Sequence, residues 1–423
     1  MRSLDTGKVA NMPMDNSVSS VANKTSSELA QRIRAFVNER VMPNEPLLAK
    51  DDDAALTLQS ALAAEARAQG LWGLYYPAAL GGEVATLSDY LPLAEQEGRS
   101  EFGPEIFGGR AALDVRMLSL HGSETIAGGF LQPLAAGNAV SAYGMSEPDS
   151  IGSIPATIQL RAQREGDGWR LDGRKWFISR ARRADFITVV ARTQAEAPPQ
   201  HALSMLVVPT DAPGFSILQD LDILGRRNGQ HELLFDNVRI PQDYLLGELH
   251  GGMALMKQRL CLGRTINAAH WVGLAQRCLD LLGERVCSER GQLARLPDKQ
   301  LIRRLAFLSQ QSIVSARAQL QLAAAKLDAG EDSDIEVNMA KIAASHALNQ
   351  AADSAIQVFG AEGLCDATPL SNIFRYARAT RILDGADEVL INTVGRRILE
   401  GYLPREEQNS SPVAQAERET AQV

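Results

Sequence analysis

The chain has 423 residues and a formal net charge of −8, with 45% hydrophobic and 22% charged residues. This length is enough for two or three domains, or one large multi-layer unit, whose core needs no disulfide or metal for stability. An acidic chain without a run of Lys or Arg is a poor candidate for sequence-independent nucleic-acid binding, which depends on a basic surface.

Membrane, targeting and metal signals do not occur in the sequence. The longest apolar runs fall short of the ~18 residues of a membrane span, and the polar first segment argues against a secretory signal peptide. The six histidines show neither HxxxH nor HxH spacing, so we expect no zinc or di-iron site. No CxxC motif occurs, which predicts a cytoplasmic protein with free thiols at Cys261, Cys278, Cys287 and Cys365.

Changes in hydrophobic period divide the chain into five segments. We predict a disordered leader (1–25), an N-terminal helical domain (26–138), a central β domain (139–248), a C-terminal helical bundle (249–403) and a disordered tail (404–423). At the start of the first domain, Leu29, Ile33 and Phe36 form a stripe at helical spacing. The same period recurs over 54–68, 87–97 and 111–120.

The period changes from 3.6 to 2 residues near Ala139. Short strands are predicted over 157–163, 169–173, 175–179, 186–191, 203–209, 215–218 and 233–240. Because no helices intervene between them, these strands indicate a small antiparallel sandwich or barrel.

The helical period returns after Gly251. Four long amphipathic helices are predicted over 252–289, 298–329, 334–358 and 385–400, which favours a bundle. The predicted fold class is therefore an α+β multi-layer protein. It has an N-terminal helical domain, a central antiparallel β-sandwich or barrel, and a C-terminal four-helix bundle.

Six short motifs share their order and spacing with one enzyme family. They are YGMSEP (143–148), KWFIS (175–179), LFDNVRIP (234–241), VGLAQR (272–277), QVFGAEG (357–363) and LDG (383–385). Over residues 26–402 the chain resembles the acyl-CoA dehydrogenase family, and in particular a subfamily with Asp in place of Glu as the catalytic base. The resemblance implies the fold described above, FAD as cofactor and an acyl-CoA as substrate.

The resemblance also implies which residues bind FAD. Tyr143, Met145 and Ser146 would line the flavin, while Phe177 and Ser179 stand where relatives have Trp and Thr. Further positions that the resemblance assigns to the cofactor are Ser153, Arg290, Gln357, Gly360, Gly363 and Glu388, some of them reaching the FAD of a neighbouring subunit. Without the resemblance, Ser-Glu-Pro is an ordinary turn and an aromatic residue in a strand is usually core.

Four positions are implied for substrate binding, namely Ser153, Arg264, Leu383 and Gly385. The family's acid three residues before the arginine is Cys261 here, which removes a polar anchor for the CoA moiety because positions i and i+3 share a helix face. From the residues alone, Arg264 is a solvated charge on a helix.

Asp384 stands at the position of the family's catalytic carboxylate. The resemblance implies that it removes the α-proton while the β-hydrogen leaves as hydride to flavin N5, which produces a 2-enoyl-CoA. The residues also allow a structural interpretation, because Asp384 followed by Asp387 and Glu388 is a good helix N-cap. The two interpretations are compatible, since a helix start also presents N–H groups to a thioester oxygen.

Partners are implied by the resemblance as well. It implies a homo-oligomer, either a dimer or a dimer of dimers, and an electron-transfer flavoprotein as electron acceptor, but neither nucleic acid nor a membrane. Two alternatives share the fold: a flavin oxidase similar to nitroalkane oxidase, and a non-catalytic flavoprotein scaffold. Electron acceptance by O₂ would identify the oxidase, and failure of every acyl-CoA to reduce the flavin would identify the scaffold.

Overall fold

A computed structural model of the protein describes residues 16–151 and 154–403. Within these residues the N-terminal domain contains eight α-helices, some of them a single turn long. They are α1 (Asn16–Phe36), α2 (Glu45–Leu48), α3 (Asp53–Ala68), α4 (Leu87–Glu97), α5 (Gly103–Ile106), α6 (Ala112–His121), α7 (Glu124–Ile126) and α8 (Gln132–Ala135).

Local sequence signals account for the longer helices of this domain. The predicted stripe of Leu29, Ile33 and Phe36 on α1 is buried, as the helical spacing requires. Asp52 caps α3 and Thr86 caps α4, each by accepting a hydrogen bond from the backbone N–H three residues later. Helix α1 begins at Asn16, so the expected leader is wrong for residues 16–25, while residues 1–15 and the expected tail (404–423) lie outside the described residues.

The central domain is a mainly antiparallel sheet. The strands of the described residues are β1 (Ser141–Gly144), β2 (Arg161–Glu165), β3 (Gly168–Ser179), β4 (Phe186–Arg192), β5 (Leu203–Pro209), β6 (Phe215–Ile223), β7 (Arg226–Pro241) and β8 (Leu245–Leu246). Their order is β6-β7-β3-β2-β4-β5-β8, and β1 lies on β4. The sheet differs from the antiparallel expectation in two pairings, because β1 and β2 run parallel to β4.

Strands β4 and β5 are buried on both faces, so their residues are almost entirely apolar. Along β4, Phe186 and Val190 pack into a cluster with helices α6–α8 of the N-terminal domain. The alternating residues Ile187 and Val189 pack into a second cluster on the opposite face. This arrangement joins the sheet to the N-terminal domain and places β1 at the boundary between them.

The C-terminal domain is built on three long helices. Its helices in the described part of the chain are α9 (Gly252–Cys287), α10 (Glu289–Leu293), α11 (Gln300–Asp328), α12 (Asp334–Phe359), α13 (Leu370–Thr380) and α14 (Asp387–Glu400). Four of these correspond to the predicted bundle helices, whereas α13 was not predicted. Among the described residues, no helix is both long and apolar enough to cross a membrane.

Helices α4 and α9 approach each other at backbone distance. A Cβ atom added to Gly273 of α9 would lie 1.8 Å from the carbonyl oxygen of Glu95 in α4. Only glycine allows this approach. One hydrophobic cluster therefore runs from α1 and α4 of the first domain into α9, α11 and α12 of the last.

Candidate active site

Asp384 lies in a short turn between α13 and α14. Its backbone has the left-handed φ of 58°, and Gly385 follows with φ 104°. Arg264 Nε of α9 donates to the Asp384 carbonyl oxygen across 2.7 Å, and Lys341 Nζ of α12 donates to the Gly385 carbonyl oxygen across 2.8 Å. A conformation that non-glycine residues rarely adopt is therefore fixed by two cationic side chains from neighbouring helices.

The capping interpretation of Asp384 is wrong. Helix α14 begins at Asp387, two residues after the predicted start. Its N-cap is Ala386, whose methyl side chain cannot accept a hydrogen bond. The Asp384 carboxylate instead accepts a hydrogen bond from Asn267 Nδ2 of α9, with 2.8 Å between Nδ2 and Oδ2. Asp384 is half-buried and its carboxylate contacts α9.

The acid three residues later has a structural role. Asp387 is completely buried and lies 2.8 Å from Lys341 Nζ. It also accepts hydrogen bonds from His346 and Arg381. Of the two acids, only Asp384 stays accessible to a reactant, because Asp387 is enclosed by its own hydrogen-bond partners.

The predicted substrate positions cluster around this turn. Arg264 is not a solvated charge, because it bonds the Asp384 carbonyl and donates from Nη1 to Asn338 Oδ1 at 3.1 Å. A Cβ added to Gly385 would lie 3.2 Å from Arg264 Nη2, so the turn needs a residue without a side chain. Leu383 remains 39% exposed beside it. Glu388, a predicted cofactor position, is exposed in the first turn of α14, with Arg381 at 3.7 Å.

The sequence analysis missed Asn267 and Arg110. Asn267 follows Arg264 by three residues on one helix, so helical spacing carried a signal for it. Arg110 donates from Nη1 to Asn267 Oδ1 across 3.1 Å, although it lies 157 residues earlier in the chain. No local pattern connects the two residues.

A second group of predicted residues surrounds β1 and the end of β3. The backbone N–H of Trp176 donates to the Ser146 carbonyl oxygen across 2.9 Å. Lys175 Nζ donates to the Met145 carbonyl oxygen at 2.9 Å and to Glu147 Oε1 at 2.8 Å. The Lys175–Glu147 pair is buried, so the glutamate of the Ser-Glu-Pro motif connects the loop to β3.

Phe177 and Ser179 occupy the irregular end of β3. The register with β7 shifts between Lys175 and Ile178, and Phe177 has φ 52°. Such a bulge re-aims a side chain, and Phe177 is 45% exposed instead of buried in the core. Ser179 Oγ accepts a hydrogen bond from Gln230 Nε2 at 2.7 Å, which leaves its own proton free to donate.

Tyr143 connects this group to both helical domains. The guanidinium of Arg259 from α9 lies 3.8 Å from the centroid of its ring, and Arg259 forms a buried ion pair with Asp114 of α6 at 2.7 Å. Ser141 also donates to Asp114, at 2.5 Å. Burial raises the pKa of Tyr143 to about 12, so the phenol stays neutral. Within residues 16–151 and 154–403, the buried Tyr143 hydroxyl has no hydrogen-bond partner.

These residues fit a flat ligand with polar edges. Phe177 supplies an exposed aromatic face, while Tyr143 and Ser179 supply hydroxyl donors. Such a combination is typical of sites for aromatic cofactors. Ser153, which was predicted to contact both ligands, lies outside the described residues, so the fit is based on the other positions.

A cavity of about 300 Å³ lies between the N-terminal helices and β1. Arg110 and Ser141 both contribute to its wall, whereas Asp384 and Phe177 do not line it. Other lining residues are Arg67, Trp72, Glu105 and Arg180.

A third group of predicted residues lies at the far end of α12. Arg290 Nη1 contacts Glu362 Oε2 at 3.0 Å, which brings it to the segment that contains Gly360 and Gly363. A Cβ on Gly363 would lie 3.0 Å from the backbone of Ile356, a tight contact that favours glycine there. Gln357 precedes them and is exposed.

This third group is remote from Asp384 in the same chain. Lys341 contacts the Asp384 turn, whereas Gly360 ends the helix that carries Lys341. At a rise of about 1.5 Å per residue, these two positions of α12 lie about 28 Å apart.

Models of protein families match all three domains of the chain. The N-terminal domain of acyl-CoA dehydrogenase matches residues 23–138, the middle domain matches residues 142–238, and the C-terminal domain matches residues 250–399. Together these three matches cover most of the sequence.

Individual proteins that are similar to this chain are also named as acyl-CoA dehydrogenases. The probable acyl-CoA dehydrogenase FadE2 of Mycobacterium tuberculosis is 33% identical over 354 residues, which cover 82% of this chain and 86% of that protein. Acyl-CoA dehydrogenase family member 11 of Mus musculus is 29% identical over 403 residues, covering 90% of this chain. The chain spans about half the length of that relative, 51%.

Solved structures share the complete fold. A probable acyl-CoA dehydrogenase from Mycobacterium abscessus superimposes with a TM-score of 0.79 at 27% identity, covering 88% of this chain and 98% of that one. The domain order, the sheet between two helical domains and the sequence matches agree. The chain belongs to the acyl-CoA dehydrogenase family.

Proposed function

We propose that the protein is an FAD-dependent acyl-CoA dehydrogenase in which Asp384 removes the α-proton of the thioester substrate. The observation that carries this proposal is the position of Asp384, whose carboxylate is half-buried on a turn that side chains of α9 and α12 hold in a left-handed conformation. A base needs a fixed position and access to its substrate, and Asp384 has both.

The turn also presents electrostatic support for the reaction. Asp384 lies three residues before α14, so the positive dipole end of this helix is near it in the chain. A positive dipole end stabilises the negative charge that develops on a thioester oxygen when the α-proton leaves. The proposal therefore combines a general base with a helix start that supports an oxyanion.

FAD is the cofactor that the family comparisons support. When bound, FAD supplies two-electron oxidation, taking up the β-hydrogen with its electron pair. Phe177 provides an aromatic face for the isoalloxazine ring, and the hydroxyls of Tyr143, Ser146 and Ser179 provide donors for its polar edge. Asp384 would take the α-proton of the acyl-CoA, FAD would accept the β-hydrogen with its electron pair, and the product would be a 2-enoyl-CoA.

The position of the third group supports the proposal of a homo-oligomer. Arg290, Gln357, Gly360 and Gly363 lie about 28 Å along α12 from the Asp384 turn, too far to complete the same site within one chain. A second copy places this group against its neighbour's cofactor. Several apolar side chains of the C-terminal domain are exposed in the single chain and suit such contacts. They include Leu301, Phe307, Ile391, Leu399 and Tyr402.

The test uses purified, FAD-loaded protein mixed anaerobically with acyl-CoAs of different chain length, branching and hydroxylation. We expect at least one of them to bleach the visible flavin absorbance. Asp384→Asn should retain FAD and lose bleaching by about 100-fold or more, because a general base contributes this much. Reoxidation by an electron-transfer flavoprotein, compared with O₂, then identifies the electron acceptor.

Four results would contradict the proposal. Bleaching by Asp384→Asn at the wild-type rate would exclude Asp384 as the base. Rapid reoxidation by O₂ with a substrate other than an acyl-CoA would indicate an oxidase. A fully flavin-loaded protein that no acyl-CoA reduces would indicate a non-catalytic member of the family. A monomer in light scattering that retains FAD would contradict the shared site.

A further inference from the structure

The Asp384 carboxylate is held by one side-chain donor. Within residues 16–151 and 154–403, Asn267 is the only residue whose side chain donates to this carboxylate, and it does so at Oδ2. The second oxygen, Oδ1, is left for another partner. The contact thus distinguishes the two oxygens of a group that is otherwise symmetric.

The orientation of the Asn267 amide follows from its second contact. Arg110 Nη1 lies 3.1 Å from the amide oxygen of Asn267. A guanidinium offers only donors, so the oxygen of the amide must face Arg110 and the NH₂ group must face Asp384. The chain of donors therefore runs from Arg110 through Asn267 to Asp384 in one direction.

Arg110 is itself fixed by its surroundings. Tyr376 of α13 and Glu105 both interact electrostatically with its guanidinium. The Tyr376 hydroxyl also lies 3.2 Å from Trp271 Nε1 of α9. Residues from the N-terminal domain, α9 and α13 thus restrict the guanidinium, and the Asn267 amide has little freedom to turn.

We infer that Asn267 is a positioning residue for the reaction, orienting the Asp384 carboxylate so that Oδ1 faces the substrate. This inference rests on the proposed role of Asp384. Arg264 fixes the backbone of Asp384 and Asn267 fixes its side chain, so α9 controls both parts of the base. A hydrogen bond donated to an ionised carboxylate favours the ionised form. A carboxylate held in one rotamer also spends more time in the reactive geometry.

Asn267→Leu tests the inference, because leucine has a similar shape and cannot donate. Flavin reduction should become about ten- to 100-fold slower at neutral pH, with substrate affinity nearly unchanged. The acidic limb of the rate profile should move to higher pH, because the ionised carboxylate loses a hydrogen-bond donor. Arg110→Met, which leaves Asn267 in place but unfixed, should give a smaller loss in the same direction.

Asn349→Leu is the matched control. Asn349 is also a half-buried asparagine of a long helix, and its amide donates to the carbonyl oxygens of Ser345 and Ala377. This variant should lose thermal stability without any shift of the pH profile. If Asn267→Leu and Asn349→Leu have the same effects, the role of Asn267 is structural only and the inference is wrong.

A second readout does not depend on turnover. The infrared band of a protonated carboxyl group, assigned to Asp384 by its absence in Asp384→Asn, reports the protonation midpoint in ligand-free protein. Asn267→Leu should raise that midpoint, because the ionised carboxylate loses a hydrogen-bond donor. An unchanged midpoint overturns the inference even if the acyl-CoA assay succeeds. A raised midpoint in a protein that no acyl-CoA reduces supports the contact and contradicts only the proposed function.

Discussion

Lys341 and Asp387 form an ion pair of 2.8 Å in which neither side chain has exposed surface. The same ammonium group donates to the carbonyl oxygen of Gly385, directly after the proposed base. Burial lowers the pKa of Lys341, and the charge of Asp387 opposes that shift. The pair thus connects α12 with the turn that carries Asp384.

Breaking this ion pair should destabilise the protein strongly. Lys341→Met leaves the buried Asp387 carboxylate without its closest cation, which should lower the free energy of unfolding by about 3–5 kcal/mol in urea titrations. The double variant Lys341→Met/Asp387→Leu should lose less, because no buried charge is left unpaired. Lys326→Met, which removes a pair with Glu336 at the surface, is the control and should lose clearly less. Equal losses of unfolding free energy in Lys341→Met and Lys326→Met would contradict a special contribution of the buried ion pair to stability.

The contact between α4 and α9 predicts opposite effects for two glycines of one helix. Gly273→Ala places a Cβ at 1.8 Å from a carbonyl oxygen and should lower the free energy of unfolding by about 3 kcal/mol. A Cβ on Gly283 meets no atom within 4 Å, so Gly283→Ala should raise stability by about 0.5–1 kcal/mol. Thermal or urea unfolding measures both. A neutral Gly273→Ala would show that the helices do not pack this closely.

The four thiols should differ in reactivity. Burial raises the pKa of Cys261 to about 11 and that of Cys278 to about 12, so neither forms the reactive thiolate near neutral pH. Cys287 and Cys365 are exposed. Ellman's reagent should modify these two rapidly at pH 8, and all four only after denaturation, with peptide mapping to identify the sites. Rapid modification of Cys278 in the native protein would contradict its burial.

Phe177 should contribute to FAD binding but little to the stability of the fold. Phe177→Gly removes the strain of φ 52° together with an exposed ring, so the FAD-free protein should change its free energy of unfolding by less than about 1 kcal/mol. The dissociation constant for FAD should rise about tenfold, because an aromatic contact is lost. Flavin fluorescence measures this constant.

The control for Phe177 is another residue with a left-handed backbone. Arg295 has φ 55° before the 3₁₀ turn at Leu296–Asp298, away from Tyr143 and Phe177 in the chain. Arg295→Gly should leave FAD affinity unchanged. If Phe177→Gly also leaves it unchanged, the exposed ring does not contact the cofactor.

Much of the fold was predictable because hydrophobic period follows local geometry. The stripe of Leu29, Ile33 and Phe36 predicts α1, and the change of period near Ala139 predicts the sheet. Helix α13 carries the same signal in Leu370 and Ile373, which are buried, but the sequence analysis missed it. The parallel pairing of β1 with β4 depends on contacts between distant segments and has no local signal.

The site was predictable only in part, for a related reason. Motif resemblance identifies Asp384, yet local propensity makes it a helix cap. Tertiary contacts from Arg264 and Lys341 instead hold the residue in a left-handed turn, and helix α14 begins later. Helical spacing from Arg264 carried a signal for Asn267, whereas Arg110 becomes visible only in three dimensions, because 157 residues separate it from Asn267.

The most direct measurement of the central claim is the rate of flavin reduction by an α,α-dideuterated acyl-CoA. It is compared with the undeuterated compound in wild type, Asp384→Glu and Asp384→Asn. We predict that deuterium slows the wild-type reaction several-fold, that Asp384→Glu retains measurable reduction, and that Asp384→Asn is at least about 100-fold slower with FAD still bound. Reduction of FAD in Asp384→Asn at the wild-type rate, with the same isotope effect, would contradict Asp384 as the base.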